Sequence, residues 1–231
     1  MQIFTDWAKQ FSKLLNLPEN FKSIAQNPLS IITLIGCVVL LIVLVKARKI
    51  KFTPQLIARI GIALALATIL KMLRLYHFPQ GGSITLGSMV PIMFIAFLYG
   101  PQVGCLTGFL YGIITLIMDP YILHPVQVLF DYPLPFMCLG IAGLFRSSKY
   151  QRYISVVLAI FLRFMCHFIS GIAFFASSAP EGMSPAIYSL AVNGPMIGIE
   201  GLICIVIIIA IPLERIITQT SNNSNIVTSQ S

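Results

Sequence analysis

Apolar residues fall in long runs along this chain, broken by short clusters of charge or by glycine and proline. The first run, from about 29 to 45, ends at the basic cluster Lys46, Arg48, Lys49 and Lys51. From Pro54 onward, six more runs predict helices over about 55–75, 85–99, 102–118, 128–146, 153–176 and 187–213. Turn chemistry separates them, at 78–83, at Gly100-Pro101, at Asp119-Pro120 and at 179–182. Ahead of the first run, Ile3, Phe4, Trp7, Phe11, Leu14 and Leu15 recur at helical spacing. Residues 1–27 therefore read as an amphipathic helix lying on a membrane surface. After Arg215 the chain turns to Ser, Thr, Asn and Gln, a composition too polar to fold. The pattern predicts three parts: an N-terminal segment with one helix of its own (1–54), a six-helix core (55–215) and a disordered polar tail (216–231).

Composition decides what these helices are. Of 231 residues, 57% are hydrophobic and 10% charged, with a mean hydropathy of +0.90. A soluble domain carries about a quarter charged residues. Apolar runs of ~17–25 residues cross a bilayer as helices, which satisfy their own backbone hydrogen bonds. The fold class is thus all-α, a polytopic membrane protein. The net charge of +8 does not indicate nucleic acid, because the basic residues sit in clusters between apolar runs and set orientation instead. Holding the first cluster in the cytoplasm puts the N-terminus outside. Arg146, Lys149, Arg152 and Arg215 then lie inside, and the loops near 80, 121 and 180 outside. Lys71 and Arg74 are exceptions at the outer end of the first core helix, where they snorkel or bind something. The first thirty residues lack the pattern of a cleaved signal peptide. Cys37, Cys105, Cys138, Cys166 and Cys204 all fall in apolar segments without paired metal-site spacing, and read as small packing residues. No metal site is expected.

Two stripes of small residues let helices approach closely. Gly104, Gly108 and Gly112 suit internal packing. Gly61, Ala65 and Ala67 suit either internal packing or docking on a partner, with Gly61 and Ala65 the candidate docking positions. Sorted by depth, the polar and aromatic residues concentrate at the outer face. Tyr121, His124, Gln127, Asp131 and Tyr132 lie on the third outer loop and the helix after it. His167 and Phe175, then Tyr188 and Asn193, occupy the outer ends of the last two helices. A carboxylate, an imidazole, an amide and several aromatic faces suit a flat heteroaromatic ligand with positive charge. Read singly, Asp131 is equally a helix cap, His167 an interior histidine, and the tyrosines interfacial belt residues. Deeper in the last two spans, Arg163 and Glu200 lie at matched depth and predict a buried ion pair.

Three blocks make the chain recognisable: Pro79-Gln80-Gly81-Gly82-Ser83, the stretch from His124 to Tyr132, and Ala179-Pro180-Glu181-Gly182. From about 56 to 213 the chain resembles the thiamine-specific substrate-binding subunit, or S component, of energy-coupling factor vitamin importers. That resemblance implies six transmembrane helices, here with one extra N-terminal helix, and the vitamin bound near the outer face. It implies ligand contacts at Tyr121, Asp131, Tyr132, His167, Phe175, Tyr188 and Asn193. Asp131 and Asn193 would hold the aminopyrimidine, and His167 and Phe175 would flank the thiazolium. Some members carry tryptophans in the first outer loop and at the position of Phe175, whereas the only tryptophan here is Trp7. Asp131 stands where some members have glutamate. The family's S components do not hydrolyse ATP, and no G-x-x-x-x-G-K-[ST] loop occurs in this chain. Implied partners are the bilayer, a transmembrane coupling subunit and two ATPases, with no cofactor besides the transported thiamine. Other readings stay open: an S component for a thiamine precursor or another cationic heterocycle, or a membrane-embedded enzyme using His167, His124 or Asp131. The enzyme reading has neither H-E-x-x-H nor G-x-S-x-G behind it.

Overall fold

A computed structural model describes residues 50, 52–77, 82–145 and 148–217. The N-terminal amphipathic segment, the extra helix and nearly all of the polar tail lie outside the described residues. Helix α1 (Pro54–Met72) begins where the Thr53 hydroxyl accepts the Leu56 N–H at 3.2 Å. Pro54 takes the first turn, where a missing N–H costs nothing. Strands β1 (Arg74–His77) and β2 (Ser83–Thr85) then pair antiparallel. Helix α2 (Val90–Tyr99) follows, and Gly100, at φ +88°, turns the chain straight into α3 (Pro101–Met118).

Two expectations change here. The ribbon takes the ends of what read as the first and second spans, so α1 stops at Met72 and α2 has only 10 residues. At ~1.5 Å per residue, α2 covers about half of the hydrocarbon thickness. Gly87, at φ +84°, makes the turn that delays its start. Nor is the run at 128–146 one regular helix. It divides into α4 (Pro125–Asp131), α5 (Pro133–Cys138) and a 3-10 turn (Leu139–Gly143). Pro133 lacks an N–H and crowds the residue before it, which leaves Tyr132 at φ −119°, ψ −78°.

Helices α6 (Lys149–Phe174) and α7 (Pro185–Ala210) are 26 residues each and antiparallel. Arg152, near the start of α6, donates to Glu214, just past α7, at 2.5 Å. Among the described residues, five segments are long and apolar enough to cross a membrane: α1, α3, the broken stretch Pro125–Gly143, α6 and α7. The chain is a multi-pass membrane protein. Its outer shell is apolar, with Ile62, Leu202 and Val206 each about two-thirds exposed, as a surface facing lipid tails requires.

Inside, α2 and α3 meet the 3-10 turn around Met89, Ile92, Met93, Phe97, Tyr111 and Leu139, all buried. The glycine stripe of α3 explains how closely these elements pack. A Cβ on Gly108 would strike the Phe136 carbonyl, one on Gly112 would lie 2.6 Å from Pro133 Cα, and one on Gly104 2.8 Å from Gly140 Cα. The other stripe splits. Ala67 is buried and its carbonyl accepts the Tyr111 hydroxyl at 3.0 Å, while Gly61 and Ala65 are exposed on the outside of α1.

Candidate ligand cavity

At the end of the bundle opposite the Arg152–Glu214 pair, a cavity of about 290 Å³ opens between α1, the ribbon, the 119–124 loop, α4, α5, α6 and α7. The local chemistry of each element explains its lining. The broken helix brings Asp131 and Tyr132 inward at the α4–α5 junction. The close approach of α6 and α7 depends on Gly171, whose Cβ would meet the Ser189 side chain. Ser189 donates to the Phe168 carbonyl at 2.8 Å, and Asn193 Nδ2 donates to the His167 carbonyl at 3.3 Å and to Ser189 Oγ at 3.2 Å. With its amide nitrogen donating to His167 on α6 and to Ser189 on its own helix, Asn193 is left with its carbonyl oxygen as acceptor.

Tyr121, Asp131, Tyr132, His167, Phe175, Tyr188 and Asn193 all line this one cavity. Tyr121 and Phe175 stack across its mouth, with ring centroids 5.9 Å apart and planes at 18°. Asp131 is not a helix cap. It ends α4, and α5 starts at Pro133, with Tyr132 at its N-cap position and no side-chain cap. Its Oδ1 lies 3.5 Å from His167 Nδ1, and its Oδ2 accepts from Gln127 Nε2 at 2.6 Å. The Tyr132 hydroxyl bridges the loop, donating to the Asp119 carbonyl and accepting the Tyr121 N–H, both at 2.8 Å. His124 stands apart. It caps α4 through the Val126 N–H and stacks on Phe174 at 5.5 Å.

The deep end is more charged than the sequence suggested. Arg163 and Glu200 pair as expected, Nη2 to Oε2 at 3.5 Å, but both also line the cavity. Glu200 Oε1 accepts from Thr85 at 2.5 Å and Ser88 at 3.2 Å. The Arg163 guanidinium lies 4.3 Å over the Phe136 ring. Lys71 reaches the same space, whereas Arg74 is bonded to Asp119 at 2.8 Å. Thr85 and Ser88 were invisible as site residues because they sit in a stretch that read as membrane span. Their only signal was a pair of hydroxyls beside Gly87 in an otherwise apolar run.

Several buried polar atoms here have no hydrogen-bond partner: Arg163 Nε and Nη1, His167 Nε2, Ser170 Oγ and the Tyr188 hydroxyl. Such atoms cost ~1–3 kcal/mol each unless something satisfies them. Three of these residues (Arg163, His167 and Tyr188) line the cavity. Among the described residues, no group of three or more His, Cys, Asp or Glu side chains could hold a metal ion.

A helical membrane protein with an aromatic and charged cavity at one end of its bundle belongs to the class that captures small molecules at a membrane. Comparison with known proteins narrows the class. The family model described as thiamine transporter protein (Thia_YuaJ) matches residues 57–219. The thiamine transporter ThiT of Bacillus subtilis is 38% identical over 174 residues, covering 68% of this chain and 90% of that protein. ThiT of Lacticaseibacillus paracasei is 27% identical over 159 residues, covering 61% and 79%. A solved structure of ThiT from Listeria monocytogenes shares the fold, with a TM-score of 0.61 and 24% identity over 69% of this chain and 93% of that one. The chain belongs to the Thia_YuaJ thiamine transporter family.

Proposed function

We propose that this protein captures thiamine from outside the cell in the cavity between α4, α6 and α7, and hands it to ATP-driven partner subunits for uptake. The observation that carries the reading is convergence. Seven residues from four separate stretches of sequence line a single cavity. Its chemistry suits a cationic heteroaromatic ligand: stacking faces at Tyr121 and Phe175, a carboxylate at Asp131, and an amide oxygen at Asn193. The family membership and the names of the relatives support the same ligand.

In this reading Asp131 and Asn193 hold the aminopyrimidine, and His167 and Phe175 flank the thiazolium. The cavity faces outward, because Lys149, Arg152 and Arg215 cluster at the opposite end and basic residues stay in the cytoplasm. The protein does no chemistry on its ligand. A transmembrane coupling subunit and two ATPases supply the energy, docking on the exposed Gly61 and Ala65 face of α1, where nothing lies within 4 Å of a Cβ built on Gly61 and Ala65 carries only a methyl group.

Calorimetric titration of the purified, vitamin-depleted protein tests this reading, with pyridoxine and riboflavin as controls. Tight one-to-one binding of thiamine alone is expected. Absence of thiamine binding in a folded sample redirects the search to thiamine precursors and other cationic heterocycles, and turnover of the ligand contradicts the transport reading.

A further inference from the structure

Gln127 is fully buried, lines the cavity, and uses every hydrogen-bonding group it has. The Leu123 N–H donates to its Oε1 at 3.0 Å, which fixes the amide's orientation. Its nitrogen then faces two acceptors, the Tyr121 carbonyl at 3.2 Å and Asp131 Oδ2 at 2.6 Å. The last bond runs from residue i to i+4 along one face of α4, so the helix itself sets it. Holding the 119–124 loop does not by itself require this bond, since the Tyr132 hydroxyl already ties Asp119 to Tyr121. What the bond does is pin one of the two carboxylate oxygens against the buried Gln127 amide, which fixes the orientation of the carboxylate. The other, Oδ1, lies 3.5 Å from His167 Nδ1, too far for a strong hydrogen bond and open to a donor from the cavity.

We infer that Gln127 is a positioning and selectivity residue: by holding Oδ2 it limits Asp131 to one ligand-facing oxygen. The site then selects a ligand that presents a single N–H, such as a ring amino group. It disfavours amidinium or guanidinium groups, which need both oxygens of a carboxylate side by side. This inference rests on the proposed thiamine reading.

The test is a double-mutant cycle read by calorimetry on the full-length protein, with Gln127→Met in the native and the Asp131→Asn backgrounds. Thiamine affinity should fall at least tenfold on Gln127→Met when Asp131 is present, and less than threefold when it is Asn. A second readout compares thiamine with the analogue whose ring amino group is replaced by oxo. Gln127→Met should narrow the preference between the two, because a released carboxylate no longer presents one fixed acceptor. Equal losses in both backgrounds with an unchanged preference would mean that Gln127 merely supports the loop, and would overturn the inference. So would undiminished affinity. If Gln127→Met does not fold, Gln127→Asn is read the same way, since it keeps an amide in the buried site but is one methylene too short to hold Asp131 Oδ2. Failure of the unmodified protein to bind thiamine would strike the functional reading instead, and is seen before any variant is made.

Discussion

The α3–α5 seam and the cavity lie next to each other in the same helices, yet they treat polar and small groups in opposite ways. Along the seam every gap is closed: Gly108 and Gly112 bring α3 against the backbone of Phe136, Tyr132 and Pro133. Thr107 turns its hydroxyl back onto its own helix at 2.8 Å. In the cavity, Arg163, His167 and Tyr188 keep buried polar atoms without partners. The seam uses its chemistry to hold the fold, and the cavity holds chemistry in reserve for a ligand. Changes in the seam should therefore lower stability, and changes in the cavity should lower affinity while leaving stability nearly alone.

The largest effect should come from Gly108→Leu. Its side chain would have to displace the Phe136 backbone, an overpacking expected to cost about 3 kcal/mol or more. Thermal unfolding in detergent should show a greatly lowered midpoint or no folded protein. Asp131→Asn should weaken thiamine binding by about 1.5–3 kcal/mol, roughly ten- to hundredfold, through loss of a charge-assisted partner. Its unfolding midpoint without ligand should stay within a few degrees of the parent. Phe175→Trp should act in the other direction, tightening binding by about 0.5–1.5 kcal/mol, since the larger ring extends the stacking surface facing Tyr121. The smallest effect on both measures belongs to Gly61→Leu. Nothing lies within 4 Å of the added Cβ, so stability and affinity should hold while thiamine uptake in reconstituted vesicles with the partner subunits falls sharply. A Gly61→Leu protein that transports normally removes this face from docking.

Much of the architecture was legible because apolar runs, prolines and glycines carry direct physical meaning. The long spans α3, α6 and α7 followed from run length, and the Arg163–Glu200 pair from matched depth in two neighbouring helices. What was hidden depended on tertiary packing. The ribbon of β1 and β2 is only four and three residues long, too short for an alternating pattern to stand out beside apolar helices. The break at Tyr132 was signalled by Pro133 and Pro135, but a run's hydropathy does not register a kink. The two stripes of small residues looked alike in sequence. Only the neighbours distinguish them, with Phe136 and Pro133 over one and open surface over Gly61. In the cavity, the outer aromatic and polar residues could be sorted by depth, whereas Thr85, Ser88 and the buried role of Gln127 depend on how the loop folds back on α4.

The measurement that tests the central claim most directly is a structure of the protein with thiamine bound. The vitamin should lie in the cavity between α4, α6 and α7, with its amino group within hydrogen-bond distance of Asp131 Oδ1 and its rings against Tyr121 and Phe175. Thiamine found elsewhere, or a cavity that stays empty while thiamine binds stoichiometrically, would contradict it.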